Sequence, residues 1–166
     1  MEGKGTLERR FVVDSMLGKV AKWLRILGYD TRLEPLDESK LEEYCEAGRL
    51  VLTRRRSWCG RRGVVCITRD ALRDQIRELH GLVGLEVQAD GFLKRCIRCN
   101  DLLEGVERWE VSGQVPEYTF ETVTEFSRCP GCRRIYWEGS HPSRMKERLT
   151  RMLGTPPIQA PPDAER

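Results

Sequence analysis

The chain of 166 residues has no apolar run approaching the roughly 20 residues a membrane-crossing helix needs, which excludes a helical span. Its first ten residues, Met1 to Arg10, are charged and lack an apolar core, so no secretory leader is expected. Repeats of solenoid length are missing, which excludes a stacked array. Charge of one sign is missing too: 29 Lys+Arg stand against 26 Asp+Glu, a formal +3 that by itself implies no polyanionic partner. An even cysteine set is also lacking. Seven cysteines without an export signal argue against a secreted disulfide framework and predict a reduced, cytoplasmic chain with a metal site. What the chain does have is 39% hydrophobic residues, enough for a modest core and too many for general disorder.

Phe11-Val12-Val13-Asp14 reads as a short buried strand ending in a carboxylate. Ser15 to Gly28 follows with Leu17, Val20, Ala21, Leu24 and Leu27 at helical spacing, and Gly28 closes the helix. Tyr29 to Glu34 and Leu50 to Thr53 are the next strands, separated by a helix from about Glu38 to Ala47 that Asp37 can cap. A strand at Val64 to Thr68 and a helix from Asp70 to about Gly81 complete the alternation. The pattern predicts an α/β layer fold with a largely parallel sheet. Ligands of such sheets bind at the carboxyl ends of the strands, where Asp14, Arg54, Arg55 and Asp70 fall. Beyond about Gly84 the pattern turns to β-favouring residues and turns with few helix signals. A last basic helix, Ser143 to Leu153, presents Met145, Leu149 and Met152 as its contact face. The domains expected are residues 9–90, residues 91–153 and an unstructured proline-rich tail at 154–166.

Cys96-Ile97-Arg98-Cys99 and Cys129-Pro130-Gly131-Cys132 are two Cys-x-x-Cys knuckles. Each short turn places two sulfurs on one side of an ion, and four thiolates complete the tetrahedral shell of zinc. The 29 residues between Cys99 and Cys129 exceed common zinc-finger spacing and suit a zinc ribbon with a small sheet between the knuckles. A redox Cys-x-x-Cys pair needs one motif opening a helix, and a catalytic zinc needs an open position, so a structural zinc is the expectation. His141 is a spare candidate ligand or a surface residue.

Asp14 and Asp37 sit at a strand end and a strand-to-helix turn. There they suit either Mg2+ or Mn2+ ligation or simple helix capping, and spacing alone leaves both open. The charge is segregated. Nine arginines between Arg49 and Arg77 face only Asp70 and Asp74, a net +7, whereas residues 100–127 carry seven acids against Arg108, a net −6. Arginine forks suit phosphate, which makes Arg54, Arg55, Arg56, Arg61 and Arg62 candidate nucleic-acid contacts, with Trp58 able to stack on a base. The competing readings are a solvated face or internal pairing with the acidic segment. Arg144, Lys146, Arg148 and Arg151 add a second candidate contact.

The run Val13-Asp14-Ser15-Met16-Leu17-Gly18-Lys19-Val20-Ala21-Lys22-Trp23-Leu24-Arg25-Ile26-Leu27-Gly28-Tyr29-Asp30 resembles the opening of the Mut-seven C-terminal RNase family. The resemblance continues through Asp37 and Gly48 to Arg54, then the knuckles, then Arg134 to His141, covering roughly residues 10 to 150. It implies a PIN-like, Rossmann-like nuclease fold with an appended zinc ribbon, and metal-dependent endonucleolytic cleavage of RNA. It makes Asp14 the first-strand ligand of Mg2+ or Mn2+ and Asp37 a second acid. The family's third acid ends a Leu-Thr-Arg-Asp strand, but here the sequence is Leu52-Thr53-Arg54-Arg55, which removes a ligand and adds a cation. Asp70, in Ile67-Thr68-Arg69-Asp70, either supplies the acid from the next strand or caps the helix it precedes.

The reading reached is a metal-dependent endoribonuclease with Asp14, Asp37 and Asp70 in its site and RNA, free or in a ribonucleoprotein, as partner. The alternative is a noncatalytic RNA- or ribonucleoprotein-binding protein whose acidic site is degenerate at Arg55.

Overall fold

The structure is a computed structural model that describes residues 9–86, 91–137 and 140–153. The proline-rich tail, Glu138-Gly139 and the side chains of His141 and Lys146 lie outside the described residues.

Strand β1 (Arg10–Asp14) is the centre of a four-stranded parallel sheet. It pairs with β2 (Thr31–Glu34) on one side and β3 (Arg49–Thr53) on the other, and β3 pairs with β4 (Val64–Cys66), giving the order β2-β1-β3-β4. An interior parallel strand is covered on both faces, which is why β1 reads as a continuous apolar run. Phe11, Val13 and Leu52 bury against α1 (Gly18–Ile26), α3 (Leu72–Val83) and α5 (Ser140–Leu153). Val12 and Val51 point the other way, onto Leu36, Trp58 and Tyr44 of α2 (Leu41–Glu46). The sequence-predicted α/β fold with a parallel sheet is therefore the one observed.

The boundaries differ in instructive ways. Ser15–Leu17 forms a 3-10 turn before α1, and Glu38–Lys40 another before α2. Gly28 has a φ of +97°, and a Cβ there would stand 2.5 Å from the Gly91 carbonyl oxygen, so both the turn and the close approach require glycine. Helix α5 begins at Ser140, earlier than expected, and buries Leu149 and Met152 as its contact face.

The second sheet is antiparallel: β5 (Glu104–Val106), β6 (Phe126–Arg128) and β7 (Ile135–Trp137). Between β5 and β6 the chain makes a 3-10 turn, Arg108–Val111, and helix α4 (Glu117–Thr122), where few helix signals were expected. The turn is fixed by a capping box in which Glu107 and Glu110 each accept from the other's backbone.

The first knuckle docks against the amino ends of the parallel strands. Buried Arg25 of α1 donates to the carbonyls of Thr31, Ile97 and Arg98, each at 2.9 Å. Asn100 accepts from the Thr31 N–H at 2.8 Å and donates to Asp30 Oδ1 at 2.7 Å. Asp30 in turn takes a forked pair from Arg49, with Nη1 to Oδ1 at 3.1 Å and Nη2 to Oδ2 at 2.6 Å. Burial alone would raise the Asp30 pKa, but these hydrogen bonds and the Arg49 charge outweigh it and hold the carboxyl below its usual 3.8.

Arg25→Ala strands three carbonyls at this junction, and we expect it to cost roughly 2–4 kcal/mol in urea unfolding. For Asp30, a depressed pKa means stability present above pH 3.8 and lost as pH falls through the folded value. The stability advantage of wild type over Asp30→Asn should therefore hold at neutral pH and shrink as pH falls below about 5, as followed by urea midpoints. An advantage that grew on acidification would contradict the assignment.

Candidate functional site

Parallel register brings Asp14, Glu34, Thr53 and Cys66 to the carboxyl edge of the sheet. Asp14 is buried, 2% exposed, and its Oδ2 accepts from Thr53 Oγ1 at 3.1 Å. The same oxygen lies 3.2 Å from Nε of Arg55. The Arg55 backbone N–H donates to Thr53 Oγ1 at 3.1 Å, so Thr53 holds both members of the pair. Arg55 also lies over the Trp58 ring, 5.2 Å from its centroid, with Arg61 at 5.9 Å. A guanidinium thus lies directly against the buried Asp14 carboxylate.

The other two predicted acids do not join it. Asp37 is exposed and caps the turn before α2, accepting from the N–H and Oγ of Ser39 at 3.0 and 2.9 Å. These bonds from Ser39 lower its pKa. Asp70 is 90% exposed and paired with Arg54; it does not cap α3, whose N-cap is Ala71. Among the described residues, the cysteine knuckles are the only set of three or more His, Cys, Asp or Glu side chains close enough to share an ion. Among the described residues, then, Asp14, Asp37 and Asp70 do not gather into one acidic cluster.

Glu34 was missed in the sequence, although it stands in register with Asp14 on the neighbouring strand. It accepts from the buried Tyr44 hydroxyl at 2.6 Å, and burial together with Glu34 pushes the Tyr44 pKa up to about 12. Strand register is the signal that finds it, once β1 and β2 are known to be parallel neighbours.

The arginine run divides. Arg49 is buried with Asp30 at the amino edge and is no surface charge. Arg54, Arg55 and Arg61 pair locally, Arg61 with Glu38 at 2.5 Å, and keep between 31% and 41% of their side chains exposed. Arg56 and Arg62 are exposed on the loop between β3 and β4. Among the described residues, no ion pair joins this run to residues 100–127, which disposes of internal pairing between the two charged segments. Trp58 is 2% exposed, buried beneath two guanidinium groups, and cannot serve as the expected base-stacking platform. The expectation of a fully reduced chain also fails: Cys59, after the 3-10 turn, and Cys66, at the end of β4, meet across the arginine loop and form a disulfide.

The predicted metal ligands Cys96, Cys99, Cys129 and Cys132 do come together, their sulfurs all within 4.8 Å of one another. The Cys96–Cys132 Sγ separation is 3.7 Å. Tetrahedral thiolates at the zinc–sulfur distance stand about 3.8 Å apart, so the set fits zinc and could hold it. The two knuckles repeat one hydrogen-bond pattern. Cys99 N–H donates to Cys96 Sγ at 3.3 Å and Cys132 N–H to Cys129 Sγ at 3.4 Å. Asn100 and Arg133 N–H donate to the Cys96 and Cys129 carbonyls, both at 2.9 Å, and both have positive φ. Burial would raise the Cys96 pKa, but the Tyr136 hydroxyl and backbone N–H groups of Cys99 and Arg98 donate to its sulfur and bring it down to about 6.

The model of the Mut7-C RNAse domain family matches residues 9–149, and the chain belongs to that family. No curated protein and no solved structure matches it.

Metal analysis of the purified chain should return about one zinc per molecule, as a closed four-thiolate shell takes one ion. Cys96→Ser or Cys129→Ser should abolish stoichiometric loading; retention of zinc in either variant would contradict the assignment.

Proposed function

We propose that this member of the ribonuclease family binds RNA through the arginines at the carboxyl edge of its parallel sheet and does not cleave it by a divalent-cation mechanism. The observation that carries this reading is the 3.2 Å pair between Arg55 Nε and buried Asp14. A carboxylate neutralised by a fixed guanidinium has little left to offer Mg2+ or Mn2+, and a second cation would be repelled by the first. Arg54, Arg56, Arg61 and Arg62 would supply the phosphate contacts, with Arg55 presenting the part of its fork that Asp14 does not use.

The cysteine cluster, in this reading, holds a structural zinc. It belongs to the amino edge, where Arg25 and Asn100 fasten the first knuckle, while the arginines belong to the carboxyl edge. Zinc would then stiffen the fold without touching the RNA held by these arginines.

The second reading, a metal-dependent endoribonuclease using Asp14, Asp37 and Asp70, is favoured by family membership. The two separate cleanly. Incubated with RNA and Mg2+ or Mn2+, wild type should be inert and should bind RNA with a steep salt dependence. Arg61→Ala/Arg62→Ala should weaken binding and lower the slope of log K against log salt by roughly 0.7 for each phosphate of single-stranded RNA that is no longer neutralised. Arg55→Asp places an acid where the family has one, removes the cation beside Asp14, and is the variant expected to acquire metal-dependent cleavage. Cleavage by wild type that Asp14→Asn abolishes would establish the nuclease instead.

A further inference from the structure

The loop between β3 and β4 carries Arg61 and Arg62, and a covalent bond closes it. Cys59 and Cys66, 5.6 Å apart at Cα, form a disulfide that encloses Gly60-Arg61-Arg62-Gly63 and the first two residues of β4. Cys59 is exposed and Cys66 is half-buried, so a thiol from solvent can reach the bond. The bond also touches the acid–arginine pair: Cys59 Sγ lies 3.6 Å from the carbonyl oxygen of Arg55, which is paired with Asp14.

Both ends of this loop are held without the bond. Trp58, directly before Cys59, is buried with Val12, Val51 and Tyr44. Cys66 lies in register with Thr53, and the Ile67 N–H donates to the Thr53 carbonyl at 2.9 Å. Gly63 is packed on α2, where a Cβ would stand 2.5 Å from Cys45 Sγ. The span between is held more lightly. Residues 60–62 are exposed, Gly60 has a φ of +85°, and the Arg61 side chain relies on its exposed pair with Glu38. Opening the disulfide therefore frees Gly60, Arg61 and Arg62 while the sheet and its core stay as they are.

We propose that the Cys59–Cys66 bond is a redox control on the arginine edge, holding the loop ready for RNA when oxidised and releasing it when reduced. The proposal rests on the reading of that edge as RNA-binding. A dithiol supplies the two electrons. One of its thiolates attacks a sulfur of the bond, which gives a mixed disulfide and a cysteine thiolate that takes a proton. The second thiol displaces the other cysteine, leaving two protein thiols and the dithiol as a cyclic disulfide. Glutathione disulfide reverses the exchange and departs as two molecules of glutathione. Arginines already in place lose less conformational freedom on meeting phosphate, so the oxidised chain binds more tightly.

The test uses the full chain, a single-stranded RNA and dithiothreitol, with zinc content followed in every sample. Alkylation and mass spectrometry should show Cys59 and Cys66 opening together. On reduction, RNA affinity should fall roughly tenfold, and glutathione disulfide should restore it. Cys59→Ser/Cys66→Ser should bind like the reduced chain under both conditions and keep the wild-type circular dichroism. Trypsin reports on the loop without RNA: cleavage after Arg61 and Arg62 should be faster in the reduced chain. Equal RNA affinity of the oxidised and reduced chains would overturn the proposal and leave the RNA-binding reading standing. Absence of RNA binding in both states would overturn that reading and this proposal with it. A bond that opens only with loss of the native circular dichroism, or that glutathione disulfide cannot close, would also overturn the redox control.

Discussion

A parallel sheet has two chemically different edges, and everything in this molecule is sorted by that constraint. Because β1 pairs in the same direction with β2 and β3, the residues that open the strands gather at one edge and those that close them at the other. Asp14 and Thr53 close strands, and the arginine loop follows them. Thr31 and Arg49 open strands, with Asp30 just before, and there the first knuckle is fastened. The first knuckle is fastened at the amino edge, whereas the acid–arginine pair stands at the carboxyl edge.

Buried charge is handled differently at the two edges. At the amino edge, Asp30 and Arg49 form a fork completed by Asn100, and Arg25 directs its donors to backbone carbonyls. Such a fully hydrogen-bonded set fixes one arrangement of knuckle against sheet, since any displacement strands several polar groups at once. At the carboxyl edge, Asp14 is buried but Arg55 is partly open to solvent. The first arrangement is a joint, while the second leaves a cation facing outward with its counter-charge concealed beneath it.

The strands and α1 were legible in the sequence because burial on both faces writes itself as apolar runs and helical spacing. The four ligands were legible because a knuckle is a local motif. Other features were hidden for identifiable reasons. The Arg25 and Asn100 contacts join residues about 70 positions apart and leave no local trace. Arg49 was counted with the surface charge because a strand-opening arginine looks the same whether it faces water or Asp30. Helix α4 spans only six residues, below the length at which periodicity can speak, and its ties to the preceding turn run through Arg108. The departure at Arg55 was plain in the sequence as a missing acid, but only the fold pairs its guanidinium with Asp14.

The matching hydrogen bonds in the two knuckles have an evolutionary corollary. Each Cys-x-x-Cys turn builds its half of the coordination sphere from its own backbone, with a left-handed residue directly after it in both cases. The halves need only meet; nothing in either depends on how much polypeptide lies between them. Apart from Asp101, whose Oδ2 accepts from Cys129 Sγ at 3.6 Å, the intervening stretch makes no knuckle of its own and is free to lengthen, fold and acquire charge as a graft. That freedom accounts for a spacer longer than zinc motifs commonly carry, and for its acidic composition being so unlike that of the sheet to which it is anchored.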